Sequence, residues 1–285
     1  MTVVNAWQEL QASLVHGPAC LVWVERVQGS APREAGAWMA VPTGLAPGRM
    51  EALVGSIGGG HLEYQALAHA RAVLQGRAEA GVLRYALGPS LGQCCGGVVH
   101  LGYARVQAQD LPHWQHLQRP RMPVAVFGAG HVGQALVRLL QHLPCQTTWV
   151  DSRPGMRAET DARAEPAAPW APRATWVQAD PVQDAVADLS PGSRVLILTH
   201  SHAEDWEILL ACLARQHAVG DLPFLGLIGS ASKWASFRRR LIARGLDAAA
   251  VDAVHCPMGV PGVQGKEPEV IAVAVAAQLM QTRSL

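Results

Sequence analysis

The sequence predicts an α/β protein of two domains, the second of them Rossmann-like and built on a parallel sheet. The chain has 285 residues, of which 49% are hydrophobic, and this is enough for two buried cores. In its second half, short apolar runs alternate with helical patterns. A glycine-rich turn, Gly128-Ala129-Gly130-His131-Val132-Gly133, follows the first of these runs and begins its helix. The fold class is therefore an N-terminal α/β domain with a mixed sheet, followed by a Rossmann-like domain.

The N-terminal domain is predicted to span residues 1–106. A helix over residues 3–15 is followed by a strand at residues 19–27, and apolar residues at helical spacing after Gly60 predict a second helix. Residues 107–122 lose this periodicity and contain two prolines, so they are predicted to be a linker. Further strands of the domain are expected at residues 36–41, 52–57, 82–87 and 98–106.

The Rossmann-like domain is predicted to span residues 123–285. Its strands are expected at residues 124–127, 146–150, 174–177, 194–199 and 224–228, and its helices at residues 131–142, 181–189, 203–218 and 231–243. Strict alternation indicates a parallel sheet, because each crossover between parallel strands needs a helix. The tail helix after Pro268 is apolar all round from Val270 to Ala277. It should therefore be buried, either under its own domain or in a homodimer interface.

Charge and hydropathy exclude several classes of protein. The net charge is +1, and the Arg238-Arg239-Arg240 cluster is most simply a solvated helix face, so nucleic acid is not an expected partner. The longest apolar stretch is too short to span a membrane, and the N-terminus lacks the features of a signal peptide. A cytoplasmic protein without membrane contact is expected.

The glycine turn is the strongest functional motif in the second half. Glycines let the backbone approach a phosphate, and the N-terminus of the following helix supplies free N–H donors. Asp151 ends the next strand, where a carboxylate would hold a ribose hydroxyl. An NAD(P)-dependent oxidoreductase is therefore an alternative, although no Tyr-x-x-x-Lys or similar hydride-transfer set accompanies the turn.

Two further strand ends carry polar residues. After residues 194–199, His200 and His202 could bind a ligand or metal, or they could be loop residues beside a helix capped by Ser201. After residues 224–228, the set Gly229, Ser230 and Lys233 would serve an anion, or Ser230 could cap the next helix without a ligand.

The N-terminal domain contains two unusual glycine-rich segments. Cys94 and Cys95 lie between glycines in residues 92–97, and they could be functional thiols or small residues in a tight turn. Residues 55–63 resemble a phosphate-binding turn but lack the spacing and lysine of a P-loop, so a structural turn is the stronger interpretation.

Several of these segments together resemble the XdhC/CoxI family. The double-cysteine run is the most specific of them. In chain order the matching segments are residues 55–63, 87–97, 128–133, 199–202 and 226–230. His61 stands where the CoxI branch is expected to have a cysteine, which favours the XdhC branch. Residues 269–272 depart from the family's usual Pro-Glu-Glu-Ile-Ala element, which weakens the inference of ligand contacts there.

The resemblance implies an accessory protein and not an enzyme. Family members bind the molybdenum cofactor (molybdopterin) as cargo, hold it while a cysteine desulfurase supplies its sulfido ligand, and insert it into apo xanthine dehydrogenase. NAD(P) is not expected as a cofactor. The residues implied in cofactor binding are Cys94, Cys95, Gly96, Gly128, Gly130, His131, Gly133, Asp151, His200, His202, Gly229, Ser230 and Lys233, with Cys94 or Cys95 contacting molybdenum.

Overall fold

The chain forms two compact units, each with its own sheet. The computed structural model describes residues 6–43, 53–88, 96–118, 120–156 and 174–283. The units comprise Met1–Arg119 and Pro120–Leu285, so the boundary along the chain falls within the segment predicted to be a linker. An antiparallel sheet in the first unit and a parallel sheet in the second confirm the predicted α/β class, although the described strands of the first sheet are all antiparallel and not mixed as predicted.

The first unit is an antiparallel sheet with helices on both faces. In the order β3-β2-β1-β5-β4, its described strands pair only in antiparallel fashion. Helix α2 packs on one face and helix α1 on the other. The elements are α1 (Ala6–Leu14), β1 (Ala19–Gln28), β2 (Trp38–Pro42), β3 (Val54–Gly55), α2 (Gly60–Leu74), β4 (Gly81–Ala86), β5 (Val98–Val106) and a 3-10 helix (Ala108–Leu117).

The 3-10 helix explains why the sequence loses its periodicity after residue 106. A 3-10 helix has three residues per turn, so its apolar residues do not follow the 3.6-residue repeat of an α-helix. The Trp38 indole N–H donates to the Leu117 carbonyl oxygen at 3.0 Å. The rings of Trp23 and Trp114 lie 4.8 Å apart. These contacts fix the 3-10 helix to the first unit.

The second unit is a parallel sheet in the order β10-β9-β6-β7-β8. Each of its strands overlaps a strand expected from the sequence, whereas the helix expected at residues 181–189 is a short 3-10 helix, Val182–Val186. The other elements are β6 (Met122–Phe127), α3 (His131–Leu140), β7 (Cys145–Asp151), β8 (Thr175–Gln178), β9 (Arg194–Ile197), α4 (His202–Val219), β10 (Phe224–Leu227), α5 (Ala231–Ala243), α6 (Ala248–Asp252) and α7 (Pro268–Gln281).

The strand order places a switch point between β6 and β9. The chain runs outward from β6 through β7 to β8, and then returns to β9 on the other side of β6. Ligands of open parallel sheets bind beyond the carboxyl ends of the strands at such a point. A ligand site is therefore expected at the segments that follow Phe127 and Ile197.

The tail helix α7 packs on α3 of its own unit. Ala272, Val275, Ala276 and Leu279 are buried in the core between them. Val273 is 55% exposed, so the helix is not buried all round within its own unit. Among the described helices, this one included, none is both long enough and apolar enough to cross a bilayer.

The packing of α7 predicts opposite outcomes for two neighbouring valines. Val275→Asp places an unpaired charge in the core, and should lower the free energy of unfolding by several kcal/mol. Val273→Asp adds the same charge at an exposed position, and should change it by less than about 0.5 kcal/mol. Urea denaturation followed by circular dichroism measures both. Equal effects would contradict the orientation of α7.

Candidate functional site

The glycine turn after β6 is shaped by two close backbone contacts. Gly128 has a φ of +116°, and a Cβ there would lie 2.3 Å from the Leu198 carbonyl oxygen. A Cβ on Gly133 would lie 2.1 Å from the Gly128 carbonyl oxygen. Neither distance leaves room for a methyl group, so packing alone requires glycine at both positions.

Gly130 has a different environment from the other two glycines. No atom beyond its chain neighbours lies within 4 Å of the place where its Cβ would be. It is the N-cap residue of α3, and no side chain caps that helix end. The first N–H groups of a helix lack intrahelical partners and carry partial positive charge. The open space at Gly130, next to exposed His131, therefore suits a phosphate group.

Asp151, predicted to hold a ribose, is 3% exposed and hydrogen-bonded within the protein. Its Oδ2 accepts from the Ala129 N–H at 2.7 Å and from the Arg153 guanidinium at 2.9 Å. Its Oδ1 accepts from the Arg153 backbone N–H at 3.0 Å and from Nε at 2.9 Å. These four bonds use the acceptor capacity of a carboxylate. A ribose hydroxyl could bind only by displacing one of them.

The same contacts determine the charge of Asp151. Burial acts to raise the pKa of this carboxyl, but the hydrogen bonds from Arg153 and Ala129 outweigh it and hold the pKa below its ordinary value. The carboxylate is therefore an ionised anchor that fixes Ala129, the second residue of the glycine turn.

A second buried carboxylate joins the next two strand ends. Asp205 is 1% exposed and accepts from the Thr199 N–H at 3.0 Å and from the Thr199 hydroxyl at 2.8 Å. Its Oδ2 lies 2.6 Å from the Lys233 ammonium, which also donates to the Ile228 carbonyl oxygen at 2.9 Å. Lys233, predicted to meet an anionic ligand, is thus paired with an anion of the protein. The pair connects the segments after β9 and β10.

The two histidines lie at the start of α4. His200 and His202 are exposed, and the His200 Nδ1 is 3.7 Å from Glu204 Oε2. Ser201 is the N-cap and accepts from the Glu204 N–H, while Ser152 donates to Glu204 at 2.5 Å. In the part of the chain that the structure describes, no three His, Cys, Asp or Glu side chains are placed to hold a metal ion.

Ser230 caps α5 by accepting from the Lys233 N–H at 3.2 Å. A Cβ on Gly229 would lie 2.7 Å from Lys233 Cδ and 3.5 Å from Cys256 Sγ. Sequence reasoning missed Cys256, because no motif links it to this sheet edge. Burial raises the pKa of its thiol to about 11, against the opposing charge of Lys233. The thiol is therefore protonated at neutral pH.

The glycine segment of the first unit binds a carboxylate of its own helix. Glu63 Oε2 accepts from the Ser56 hydroxyl at 2.8 Å and from the N–H groups of Ile57 and Gly59, each at 3.1 Å. Glu63 is only 6% exposed. Its carboxylate occupies the place where a phosphate would lie, which agrees with the structural interpretation of residues 55–63.

Cys94 and Cys95 lie outside the described residues, whereas the base of their segment is described. The Leu87 N–H donates to the Gly97 carbonyl oxygen at 2.8 Å. A Cβ on Gly97 would lie 2.3 Å from the Ser30 carbonyl oxygen, so packing requires this glycine. Gly96 is exposed, with no atom within 4 Å of a Cβ position.

The fold brings together the predicted residues of the second unit. Because β6 and β9 are neighbours, the glycine turn and residues 199–202 lie side by side at the switch point. Lys233 reaches the same edge through Asp205. Gly130 and His131 are open to a ligand, whereas Asp151 and Lys233 are engaged within the protein.

Family models match both units of the chain. The model described as the XdhC Rossmann domain matches residues 124–279, and the model described as the XdhC and CoxI family matches residues 15–86. These matches confirm the predicted family resemblance, and the double-cysteine segment at residues 87–97 lies outside both matched ranges.

Two similar proteins extend over nearly the whole chain. "Uncharacterized protein YqeB" of Escherichia coli K12 is 25% identical over 273 residues, which are 94% of this chain and 44% of that protein. The chain thus spans less than half the length of this curated relative. A crystal structure described as a xanthine dehydrogenase from Bacillus halodurans has a TM-score of 0.73 and 21% identity, and the match covers 99% of this chain and 95% of the other. At this identity the likeness shows a shared fold.

The buried pair of Asp205 and Lys233 predicts that substitution of Lys233 destabilises the protein, whereas substitution of the chain's other lysine does not. Lys233→Met leaves the Asp205 carboxylate buried without a countercharge, and should lower the free energy of unfolding by about 3–5 kcal/mol. The chain's other lysine, Lys266, is exposed, and Lys266→Met should change it by less than about 0.5 kcal/mol. Chemical denaturation measures both, and equal stability of the two variants would refute the role of the pair.

The lowered pKa of Asp151 predicts an acid-dependent loss of stability. Its ionised form stabilises the fold above the unfolded-state pKa of about 3.9, and this contribution is lost as the pH falls through the lower folded-state value. Asp151→Asn should lack this component. Urea denaturation between about pH 5 and pH 3 measures it, with Asp188→Asn at an exposed position as the control. Parallel profiles for wild type and Asp151→Asn would contradict the assignment.

Proposed function

This chain belongs to the XdhC and CoxI family, and from that premise we propose that it is an accessory protein of xanthine dehydrogenase that carries the molybdenum cofactor. In this proposal the chain binds the cofactor, holds it while a cysteine desulfurase supplies the sulfido ligand, and delivers it to the apoenzyme. The cofactor is cargo, so binding must be reversible and the chain itself turns nothing over.

The open helix start at Gly130 is the observation that carries the proposal. Gly128 and Gly133 are explained by packing, whereas Gly130 has free space beside uncapped N–H groups. The phosphate of molybdopterin is a suitable ligand for such a helix end. His131 at the first helical position and exposed His200 on the neighbouring segment add further hydrogen-bonding groups at the same edge.

The state of Asp151 favours cargo binding over the alternative of an NAD(P)-dependent oxidoreductase. A dinucleotide site of this fold uses the carboxylate at the end of the second strand to hold a ribose. Here both carboxylate oxygens are occupied by Arg153 and Ala129. The helix start that would bind a phosphate is open, whereas the carboxylate that would bind a ribose is already hydrogen-bonded within the protein.

Two sequence features supply the remaining parts of the proposal. Cys94 and Cys95 are candidates for contact with molybdenum, because soft thiolates suit a metal centre that carries sulfur ligands. The chain must also present a surface to xanthine dehydrogenase and to the desulfurase. We assign no surface to either partner.

Gly130→Asp should abolish cofactor binding without loss of stability. An aspartate at the N-cap accepts from the first N–H groups of the helix, so it stabilises α3 while it excludes a phosphate by charge and by occupancy. The purified chain is incubated with the cofactor and separated from free cofactor. Molybdenum is then measured by mass spectrometry and the released pterin by fluorescence. Val273→Asp, which adds the same charge on an exposed face, is the matched control.

The delivery step is tested by activation of apo xanthine dehydrogenase in the presence of a cysteine desulfurase. Wild type and Val273→Asp should activate the enzyme, whereas Gly130→Asp should not. Of Cys94→Ser and Cys95→Ser, at least one should retain pterin and lose activation. The proposal fails if wild type retains no more cofactor than an unrelated protein. It also fails if Gly130→Asp and both cysteine variants activate normally.

A further inference from the structure

A row of three basic residues crosses the sheet of the first unit. Arg26 in β1 lies opposite His100 in β5, and His100 lies opposite Arg84 in β4. Directly opposite residues of neighbouring antiparallel strands project from the same face. Both arginines are exposed and the histidine is half-buried. Arg26, His100 and Arg84 are called the basic row below.

The basic row lies on the face of the sheet that carries α1. The residues adjacent to the row, Val27, Tyr85 and Val99, pack into the core under α2 on the opposite face. Helix α1 and the 3-10 helix cover this face further along, where they pack against Leu21 and Val106. The basic row is therefore left open beside the covered part of the face.

The row carries positive charge that the described part of the protein does not balance. None of the ion pairs between described residues includes Arg26, Arg84 or His100. The nearest acid along the chain, Glu25, accepts from the Trp23 indole N–H at 2.5 Å. The two arginines lie on the same face with one strand between them, so their positive charges add at this surface. An arrangement of this kind is stabilised when an anion binds across it.

The hydrogen bonding of His100 is also incomplete. The Arg26 guanidinium lies 3.3 Å from His100 Nε2. A guanidinium has only donors, so Nε2 accepts and the proton of the neutral ring is on Nδ1. That Nδ1 is buried and has no hydrogen-bond partner in the described part of the chain. A bound anion would accept from Arg26 and from an Nε2–H, and the ring proton would then no longer be buried on Nδ1 without an acceptor.

We propose that the basic row binds a diphosphate group, free or as part of a small molecule. Neighbouring strands are about 4.8 Å apart, so the backbones of Arg26 and Arg84 are separated by about 10 Å. Each guanidinium can donate two parallel hydrogen bonds to one phosphate, with the imidazole between them. This site belongs to the first unit, and it does not depend on the proposed carriage of molybdenum cofactor.

Isothermal titration calorimetry of the full chain with inorganic pyrophosphate tests the site. Wild type should bind pyrophosphate, and Arg26→Gln and Arg84→Gln should each weaken binding by about tenfold or more. Arg105→Gln is the matched control, because Arg105 is an exposed arginine of the same strand β5. It pairs with Cys20 on the opposite face and should bind as wild type does. Circular dichroism confirms folding of the exposed-site variants.

Two further ligands distinguish a diphosphate site from a general anion site. Inorganic phosphate should bind more weakly than pyrophosphate, and ADP distinguishes an esterified from a free diphosphate. The proposal is overturned if wild type does not bind pyrophosphate, or if Arg26→Gln and Arg84→Gln bind it as wild type does. An equal loss in Arg105→Gln would show a general charge effect and would overturn it as well.

Discussion

Buried carboxylates hold the loops at the strand ends, and the geometry of the glycine segments at residues 55–60 and 128–133 depends on them. Asp151, Glu63 and Asp205 are the buried acids of the described chain. Removing a carboxylate from water is costly unless hydrogen bonds and countercharges compensate for it. Each of the three accepts backbone N–H donors from a loop, so the compensation that the charge requires is also what fixes the loop. A rigid loop presents its remaining donors to a ligand at a lower entropic cost.

The same interaction distinguishes the proposed phosphate site from motifs that resemble it. Among the described residues, three strand-end segments carry residue types that bind phosphate, and at two of them the protein supplies its own anion. Glu63 accepts hydrogen bonds from the turn of residues 55–60, and Asp205 forms an ion pair with the Lys233 ammonium. At Gly130 the helix start is uncapped and the space beside it is open. Our proposal of a phosphate site at Gly130 therefore rests on open space beside free N–H groups, and not on residue types alone.

The sequence predicts the sheet of the second unit well, because its strands are short apolar runs separated by helical patterns. It also predicts β5 with its observed bounds, Val98–Val106. It does not predict that Arg153 pairs with Asp151, since a salt bridge two residues apart has no periodic signature. Packing determines the position of Cys256, and strand register aligns Arg26, His100 and Arg84. Only the folded chain defines either of these. The double cysteine remains a prediction from sequence alone.

The strand order also constrains how the second unit can fold. Strand β6 comes first in the unit and lies at its centre, but its neighbour β9 is about 70 residues further along, as the pairing of Val124 with Arg194 shows. Closing so long a loop costs entropy before the pairing contributes any stability, and folding rates fall as such distant contacts increase. Until β9 arrives, β6 exposes one unpaired edge next to the glycine turn. The glycine turn is thus completed only after β9 pairs, and a chain that has not yet formed this pairing carries an exposed strand edge that can pair with other chains.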